Sequence, residues 1–265
     1  AQGGAWIFTS ATLAVGDDFT HFLSRIGAPA ARSVKIDSPF DFESQAMLLL
    51  PPGLPEPAAR EYTARVVDTA LPLIEAAGGR TFLLFTSHRA LGEASRLLEE
   101  RAGFTERFPL LVQGEAPRES LLRRFRELGN AVLLGTASFW EGVDVRGHAL
   151  SLVVIDKLPF APPDDPLLKA RLEGIRRRGG NPFQEFQLPQ AVLALKQGFG
   201  RLIRDRDDFG VVVLCDPRLR SRSYGRLFVS SLPPATVTAD ADEAATFLRR
   251  RLARAGVAPP VAMQA

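Results

Sequence analysis

The 265-residue sequence is poor in cysteine, in lysine and in long apolar runs. Its one cysteine, Cys215, excludes an internal disulfide and a cysteine-ligated metal or iron–sulfur site within this chain. The longest apolar stretches have five to seven residues, which is too short to cross a bilayer. The first residues form neither a basic stretch nor a long apolar one, so no signal peptide is expected. These absences predict a cytoplasmic protein that makes no contact with a membrane.

Lysine is scarce: only four of the 33 basic residues are lysines. The others are arginines, whose planar and permanently charged guanidinium suits phosphate binding. A GC-rich coding sequence also favours arginine, together with alanine, proline and glycine, and this explanation accounts for most of the bias. Since the net charge is only +3, the partner has to be sought in local motifs.

Short apolar runs alternate with helical patterns along the chain. The predicted strands cover residues 5–9, 46–50, 81–85, 110–112, 131–134, 152–155 and 211–215. The predicted helices cover residues 18–26, 57–77, 89–102, 118–128, 165–178, 189–203, 224–230 and 241–255. Several strands are continuously apolar, which is typical of strands buried on both faces of a parallel sheet. The alternation predicts one α/β domain over residues 1–265, doubly wound, with a mainly parallel sheet and helices on both faces.

Residues 158–189 interrupt this alternation with six prolines and a basic helix that ends at Arg176-Arg-Arg-Gly-Gly180. A long excursion inside a compact domain is usually functional.

The C-terminal helix and tail, residues 240–265, combine clustered arginines with a narrow apolar stripe of Phe247, Leu248 and Leu252. So narrow a stripe predicts a helix held loosely by its own core, which would serve as a protein-docking surface or remain a solvated terminal helix.

The most specific pattern is Gln197-x-x-Gly200-Arg201-x-x-Arg204. Two arginines three residues apart project from one face of a helix, and a preceding glycine lets a phosphate approach closely. Paired guanidinium forks are what a polyphosphate requires while its terminal group is transferred. This segment therefore predicts contact with phosphate.

Residues 135–144 form a strand end followed by a loop with polar and aromatic side chains. Thr136, Ser138 and Trp140 are candidates for contact with nucleic acid, and Trp140 either stacks on a base or packs inside the protein. Packing is the favoured interpretation for Phe139.

The second half of the same loop carries Glu141, Gly142 and Asp144. The two carboxylates either hold Arg201 or Arg204 in place, or respond to a nucleotide through water. Gly142 alone would also fit a plain turn.

A buried strand ends at Thr86, Ser87 and His88, and Arg89 opens the next helix. Hydroxyls and an arginine at a helix N-terminus form a ready phosphate site, and that phosphate could belong to single-stranded nucleic acid. Ser87 could equally be a simple helix cap.

Taken in order, four segments resemble motifs III to VI in the second motor domain of the DinG/XPD family of superfamily 2 DNA helicases. They are residues 9–12, 81–89, 135–144 and 197–204. Flanking sequence such as Lys157-Leu-Pro-Phe160 and Asp216-Pro-Arg218 is similar to bacterial DinG, and residues 176–183 are similar to the YoaA branch.

The resemblance implies a RecA-like domain of a longer helicase that acts 5′→3′ on single-stranded DNA in repair and replication. ATP and Mg²⁺ would be held by the first motor domain of the same protein, since this sequence has no G-x-x-x-x-G-K-[ST]. A 4Fe–4S cluster is expected only in that other part, and no metal is expected in this chain.

The resemblance also implies a role for each site residue. Arg204 would contact the γ-phosphate, Arg201 would assist on phosphate or Glu141, and Gln197 and Asp144 would sense the nucleotide. Ser87, Arg89, Ser138 and Trp140 would follow the DNA. An alternative function is docking to the DNA polymerase III chi subunit, through the C-terminal helix or residues 218–226.

Overall fold

The computed structural model describes residues 4–136, 139, 145, 147–162 and 164–257. Its strands form one sheet in the order β3-β4-β2-β5-β6-β1-β7, and every pairing is parallel. The strands are β1 Ala46–Leu49, β2 Thr81–Phe85, β3 Leu110–Val112, β4 Val132–Thr136, β5 Leu152–Ile155, β6 Gly210–Leu214 and β7 Thr236–Thr238. The predicted doubly wound α/β fold is confirmed.

Helices cover both faces of this sheet. They are α1 Thr20–Ile26, α2 Phe42–Gln45, α3 Tyr62–Ala77, α4 His88–Glu99, α5 Phe104–Arg107, α6 Arg118–Leu128, α7 Pro166–Arg177, α8 Leu188–Phe199, α9 Arg218–Ser221, α10 Gly225–Ser231 and α11 Ala241–Arg254. Helices α6, α8 and α10 pack on one face, and α3, α4 and α11 pack on the other. Because the central strands are covered on both sides, their side chains have almost no contact with solvent.

The predicted strand over residues 5–9 is wrong, because residues 4–10 have no regular secondary structure. Trp6 and Ile7 are 86% and 85% exposed. An apolar extended segment forms a strand only when it pairs with another strand. The two edge strands of this sheet are β3 and β7, and residues 4–10 pair with neither of them. The edge strand β7 was missed because Thr236–Thr238 is too short to give a pattern.

The helix predicted over residues 189–203 ends earlier, at Phe199. Arg201 and Arg204 therefore lie in the turns that follow α8, and the expectation that both project from one helical face is wrong.

The excursion over residues 158–189 is ordered around a small apolar cluster of its own. Leu168, Leu172 and Ile175 of α7 pack against Phe186 in a π-helical turn, Phe183–Gln187. His21 of α1 lies 5.8 Å from Phe186 between ring centroids, and its Nδ1 donates to the carbonyl of Glu185 at 3.2 Å. Helix α1 thus fastens the N-terminal segment to the excursion.

Helix α11 is firmly packed, so the prediction of a loosely held C-terminal helix is wrong. Ala244 and Leu248 are completely buried against α3 and the sheet, and Phe247 and Leu252 are nearly so. Arg251 stacks over the ring of Phe209 at 5.2 Å. The apolar stripe is wider than predicted, because the buried Ala244 and Ala245 also belong to it and were not counted in the sequence analysis.

Within the described residues, no helix has the length and apolarity that crossing a bilayer requires.

Candidate functional site

The two predicted phosphate-contacting arginines lie at the end of the sheet where β1 and β6 begin. After α8, the N–H of Arg201 donates to the carbonyl of Gly198 at 3.2 Å, and the chain turns away from the helix axis. Leu202 and Ile203 are drawn into the core and are 2% and 3% exposed. Burial of these two side chains ends the helix and leaves Arg201 and Arg204 half-buried on the turn.

Asp208 organises this turn, and it is a residue that the sequence analysis missed. One of its carboxylate oxygens accepts the N–H groups of Arg204 at 2.7 Å and Asp205 at 2.8 Å. The other accepts the N–H of Gly147 at 3.0 Å. Since Gly147 lies shortly after residues 135–144 in the sequence, the carboxylate connects the neighbourhoods of the two most informative segments. Asp208 is only 3% exposed, so these charge-assisted bonds are little screened by water.

Gln45 holds the same turn from the other side. Its Nε2 lies within hydrogen-bonding distance of three carbonyl oxygens, those of Asp205, Arg206 and Asp208, at 2.8–3.0 Å. Gln45 is 4% exposed and directly precedes β1. The only sequence signal for it is an amide next to a buried strand, which does not reveal a partner some 160 residues away.

Gln197, the third predicted residue of this segment, contacts the N-terminal segment. Its Nε2 donates to Oγ1 of Thr12 at 3.3 Å. The hydroxyl of Ser10 accepts the N–H of Thr12 at 3.2 Å and shapes a tight turn. The structure therefore brings together residues 9–12 and Gln197, two of the four segments that carry the resemblance. Gly200 has φ −65° and ψ 0°, and an added Cβ would lie 3.4 Å from the carbonyl of Lys196, so the fold itself tolerates a side chain there.

The predicted nucleic-acid contacts lie at the opposite end of the sheet, where β2 and β4 finish. Ser87 caps α4 by accepting the N–H of Ala90 at 3.2 Å, so the capping interpretation is confirmed. Ser87 and Arg89 are both exposed. Thr136 is 7% exposed, and its N–H and hydroxyl donate to Oε1 of Gln113 at 2.6 and 3.1 Å.

Gln113 and Arg118 contact Thr136 at the end of β4 and Phe139, and the sequence analysis missed both residues. The guanidinium of Arg118 lies 5.5 Å from the ring centre of Phe139, and its Nη2 donates to the Phe139 carbonyl at 3.4 Å. Phe139 is 2% exposed, which confirms that it packs in the core. A Cβ on Gly135 would come within 2.9 Å of the Phe139 Cβ, so this ring requires glycine at 135.

Five predicted site residues lie outside the described part of the chain. They are Ser138, Trp140, Glu141, Gly142 and Asp144.

Asp156 forms a buried polar junction where β5 ends. Its Oδ1 accepts the N–H groups of Thr86 at 3.0 Å and Lys157 at 2.6 Å. Burial raises the pKa of this carboxyl to about 7, although the hydrogen bonds and the Lys157 charge act in the other direction. The hydroxyl of Tyr62 lies 2.6 Å from the carbonyl oxygen of Asp156 and 3.0 Å from that of Cys215, and burial raises the pKa of that phenol.

The arrangement separates two kinds of chemistry. Paired arginines lie at the amino ends of the strands, where guanidiniums could meet a phosphate, and exposed hydroxyls with an arginine lie at the carboxyl ends. Among the residues that the structure describes, no cluster of three or more His, Cys, Asp or Glu side chains could hold a metal ion.

Residues 70–235 match the helicase C-terminal domain, and this match covers more than half of the chain. The chain therefore belongs to the helicase C-terminal domain family. It is 54% identical to the ATP-dependent DNA helicase YoaA of Escherichia coli strain K12, over 92% of this chain and 38% of that protein. It is 40% identical to the ATP-dependent helicase DinG of Mycobacterium tuberculosis strain H37Rv, over 94% of this chain and 37% of that protein.

The fold is similar to that of Xpd4 from S. tokodaii, with a TM-score of 0.54 and 15% identity over 75% of this chain and 39% of that one. Such a likeness shows the fold alone, which is the RecA-like fold of helicase motor domains. The predicted kinship with the DinG/XPD family is confirmed by the relatives. The chain spans about two fifths of the length of these curated relatives.

Proposed function

We propose that the chain is the second motor domain of an ATP-dependent 5′→3′ DNA helicase of the DinG/YoaA type. In this proposal it contacts ATP and Mg²⁺ that are bound by the first motor domain of the same protein, and it contacts single-stranded DNA. The protein would act in the cytoplasm, in DNA repair and replication. The observation that carries the proposal is the turn with Arg201 and Arg204. The buried side chains of Gln45 and Asp208 hold the backbone of this turn.

The residues of this turn suit the stabilisation of a γ-phosphate in transfer. ATP with Mg²⁺ would supply the phosphoryl group and the positive charge between its phosphates. Arg204 would donate to the γ-phosphate as charge develops, with Arg201 beside it. Asp208 holds the backbone of Arg204. Because that backbone is already ordered, Arg204 loses less conformational entropy when its guanidinium binds phosphate. Gln197, which contacts Thr12, would report nucleotide binding to the N-terminal segment.

Single-stranded DNA would run along the other end of the sheet. Ser87 and Arg89 are exposed there at the N-terminus of α4, and Thr136, which precedes Ser138 and Trp140 in the sequence, is held by Gln113. Backbone N–H groups at a helix N-terminus favour phosphate oxygens. Contacts of this kind would bind the strand without reading its sequence.

An iron–sulfur cluster finds no ligand in the described part of this chain. Cys215 is 1% exposed, and burial raises the pKa of its thiol, so the thiolate that a cluster needs is disfavoured. If the helicase contains a 4Fe–4S cluster, as the resemblance implies, its ligands belong to another domain.

The test is Arg204→Ala in the complete helicase that contains this chain. We expect kcat for ATP hydrolysis to fall by about 10³-fold or more, with little change in DNA affinity, because the arginine acts on charge in the transition state. Arg206→Ala is the matched control, since Arg206 is an exposed arginine on the same turn. Loss of DNA binding with unchanged kcat would contradict the assignment.

A second candidate function is docking to the polymerase III chi subunit. It is supported by Arg249, Arg250 and Arg254, which are exposed on α11. Clustered arginines are common at protein interfaces. This surface is independent of the arginine turn and is tested separately below.

A further inference from the structure

Four aromatic rings meet where β5 and β6 end, at a place that the proposed ATP and DNA contacts do not use. Phe160 follows β5, Phe183 precedes α8, and Tyr224 and Phe228 belong to the α10 region. The rings of Phe160 and Phe183 stack with centroids 5.8 Å apart and planes at 30°. Tyr224 lies 5.3 Å from Phe183 and 6.1 Å from Phe160. Three separate segments of the chain thus converge on one aromatic cluster.

The cluster has a buried base and a partly open top. Phe228 is completely buried, and it contacts the rings of Phe160 and Tyr224 at 5.9 and 6.2 Å. Phe160, Phe183 and Tyr224 are only half-buried. Phe228 supports Phe160 and Tyr224 from within the core, and the exposed parts of Phe183 and Tyr224 remain available to a flat partner.

One arginine contacts the rings, and three more lie on the same segment of the chain. The guanidinium of Arg218 lies 5.5 Å from the ring centre of Phe160, and two bonds at 2.9 and 2.6 Å tie it to the buried carboxylate of Asp216. Arg220, Arg222 and Arg226 are exposed nearby. Residues 217–239 contain no Asp or Glu. Within the described residues, neither Arg222 nor Arg226 forms an ion pair.

The cluster lies at the same end of the sheet as Ser87 and Arg89, and a chain of hydrogen bonds connects the two places. Asp156 accepts the N–H of Thr86 at 3.0 Å. Two residues further on, the N–H of Leu158 donates to Asp216 at 2.8 Å, and Asp216 holds Arg218. A single strand of DNA that runs from Ser87 along this end of the sheet would reach the aromatic rings.

We propose that Phe160, Phe183 and Tyr224, with Arg222 and Arg226, form a second subsite for single-stranded DNA. Bases would stack on the exposed parts of these rings, and the two arginines would contact the phosphates on either side. Partly exposed rings, beside arginines that form no ion pair within the described residues, match the chemistry of a nucleic-acid strand, whose π-faces alternate with anionic groups. This subsite rests on the proposed function, since it extends the DNA path proposed for Ser87 and Arg89.

The experiment measures binding of this chain to a fluorescein-labelled oligothymidylate by anisotropy, over a range of salt concentrations. Tyr224→Leu, which keeps apolar volume and removes the phenol ring, should weaken binding by about tenfold. Arg222→Gln and Arg226→Gln should each reduce the salt slope by about 0.7 units, the value for one phosphate on single-stranded DNA. Arg65→Gln is the control, because Arg65 is exposed on α3 at the other face of the sheet.

Photocrosslinking gives a second measurement that does not depend on the variants folding normally. An oligonucleotide with 5-iododeoxyuridine crosslinks to aromatic rings on which the base stacks. We expect crosslinks at Phe160, Phe183 or Tyr224 in the unaltered chain. Binding that is weakened by Arg89→Ala, with no crosslink to these rings and normal binding by Tyr224→Leu, would overturn the subsite and leave the proposed DNA path intact.

Two other outcomes would also overturn the subsite. If the unaltered chain fails to bind the oligonucleotide even at low salt, it has no such subsite, whereas the role of Arg204 is judged separately by ATP hydrolysis. If Arg222→Gln and Arg226→Gln leave DNA binding unchanged but abolish binding to the chi subunit, the patch recognises protein.

Discussion

Asp208 is a buried carboxylate whose two oxygens accept three backbone N–H groups from two different segments of the chain. It touches neither nucleotide nor DNA in the proposed arrangement, and it acts by fixing the backbone from which the Arg204 side chain extends. A displacement of about 1 Å at a catalytic group can cost about 10²-fold in rate. Asp208 is therefore a positioning residue.

We expect Asp208→Ala in the complete helicase to lower kcat for ATP hydrolysis by about 10²-fold, with a smaller change in KM for ATP. Three buried N–H groups lose their acceptor, so stability should also fall by about 2–4 kcal/mol. Asp208→Asn keeps one acceptor oxygen and should recover part of kcat. Asp207→Ala, at the exposed neighbouring acid, should change neither. If Asp208→Ala and Asp208→Asn lose the same stability and neither changes kcat, the role of Asp208 is purely structural.

Asp156 gives the chain a pH-dependent stability whose sign follows from burial. Its pKa rises from an ordinary value of 3.8 to about 7 in the folded chain. Between these values the folded state retains a proton that the unfolded state has lost. This contribution to the free energy of unfolding therefore decreases as pH rises from about 4 to about 7, and it is constant above.

Asp156→Asn removes this titration and keeps an oxygen that can accept from Thr86 and Lys157. Urea unfolding followed by circular dichroism from pH 5 to 8 should show the variant gaining stability relative to the unaltered chain up to about pH 7. Over this pH range the relative gain has an upper bound of about 3 kcal/mol. Parallel pH profiles of the two proteins would show that Asp156 does not titrate in this range.

Contacts of single residues were the least predictable from the sequence. Arg201, Arg204 and Gln197 were predicted as site residues because their spacing is distinctive. Asp208 and Gln45 were missed because a buried acid within Asp205-Arg-Asp-Asp208 looks like a solvated charge, and its partners are set by the tertiary fold. Only the approach of distant segments distinguishes it from its neighbours.

At the scale of elements, most helices and strands were predicted to within a few residues, because apolar periodicity decides which face is buried. The errors lie where neighbouring structure overrides the local pattern. Residues 5–9 have the pattern of a strand without a partner strand, and α8 stops at Phe199 because Leu202 and Ile203 enter the core. For α11, the prediction counted only the large apolar residues and left out Ala244 and Ala245, which are also buried.

The packing of α11 changes how the chi-docking candidate is tested. Deleting residues 240–265 would expose the surface of α3 that Ala244 and Leu248 cover, and the protein would be destabilised. We expect the double variant Arg249→Glu, Arg250→Glu to keep its melting temperature within a few degrees, since exposed positions contribute little to stability. In a pull-down with the chi subunit, this variant should lose binding and retain ATP hydrolysis. Retained binding would eliminate α11 as the docking surface.

At the scale of the whole molecule, the sequence contains no phosphate-binding G-x-x-x-x-G-K-[ST]. We expect this chain alone to hydrolyse no ATP, with or without single-stranded DNA, because arginines at one side of a nucleotide cannot replace the cradle and the Mg²⁺ ligands. A coupled assay for ADP release measures this directly. Turnover that disappears in Arg204→Ala would show that the chain holds ATP by itself.

The sheet order also decides when this domain can be completed during synthesis. Strand β1 emerges first, yet it pairs only with β6 and β7, through Ala46 with Gly210 and Met47 with Thr236. At roughly 5–20 residues per second, the ribosome needs roughly 10–40 seconds to supply both neighbours. For that time both edges of β1 stay unpaired, and its apolar residues are open to incorrect pairing and aggregation. The first strand to be made is the last whose pairing is finished.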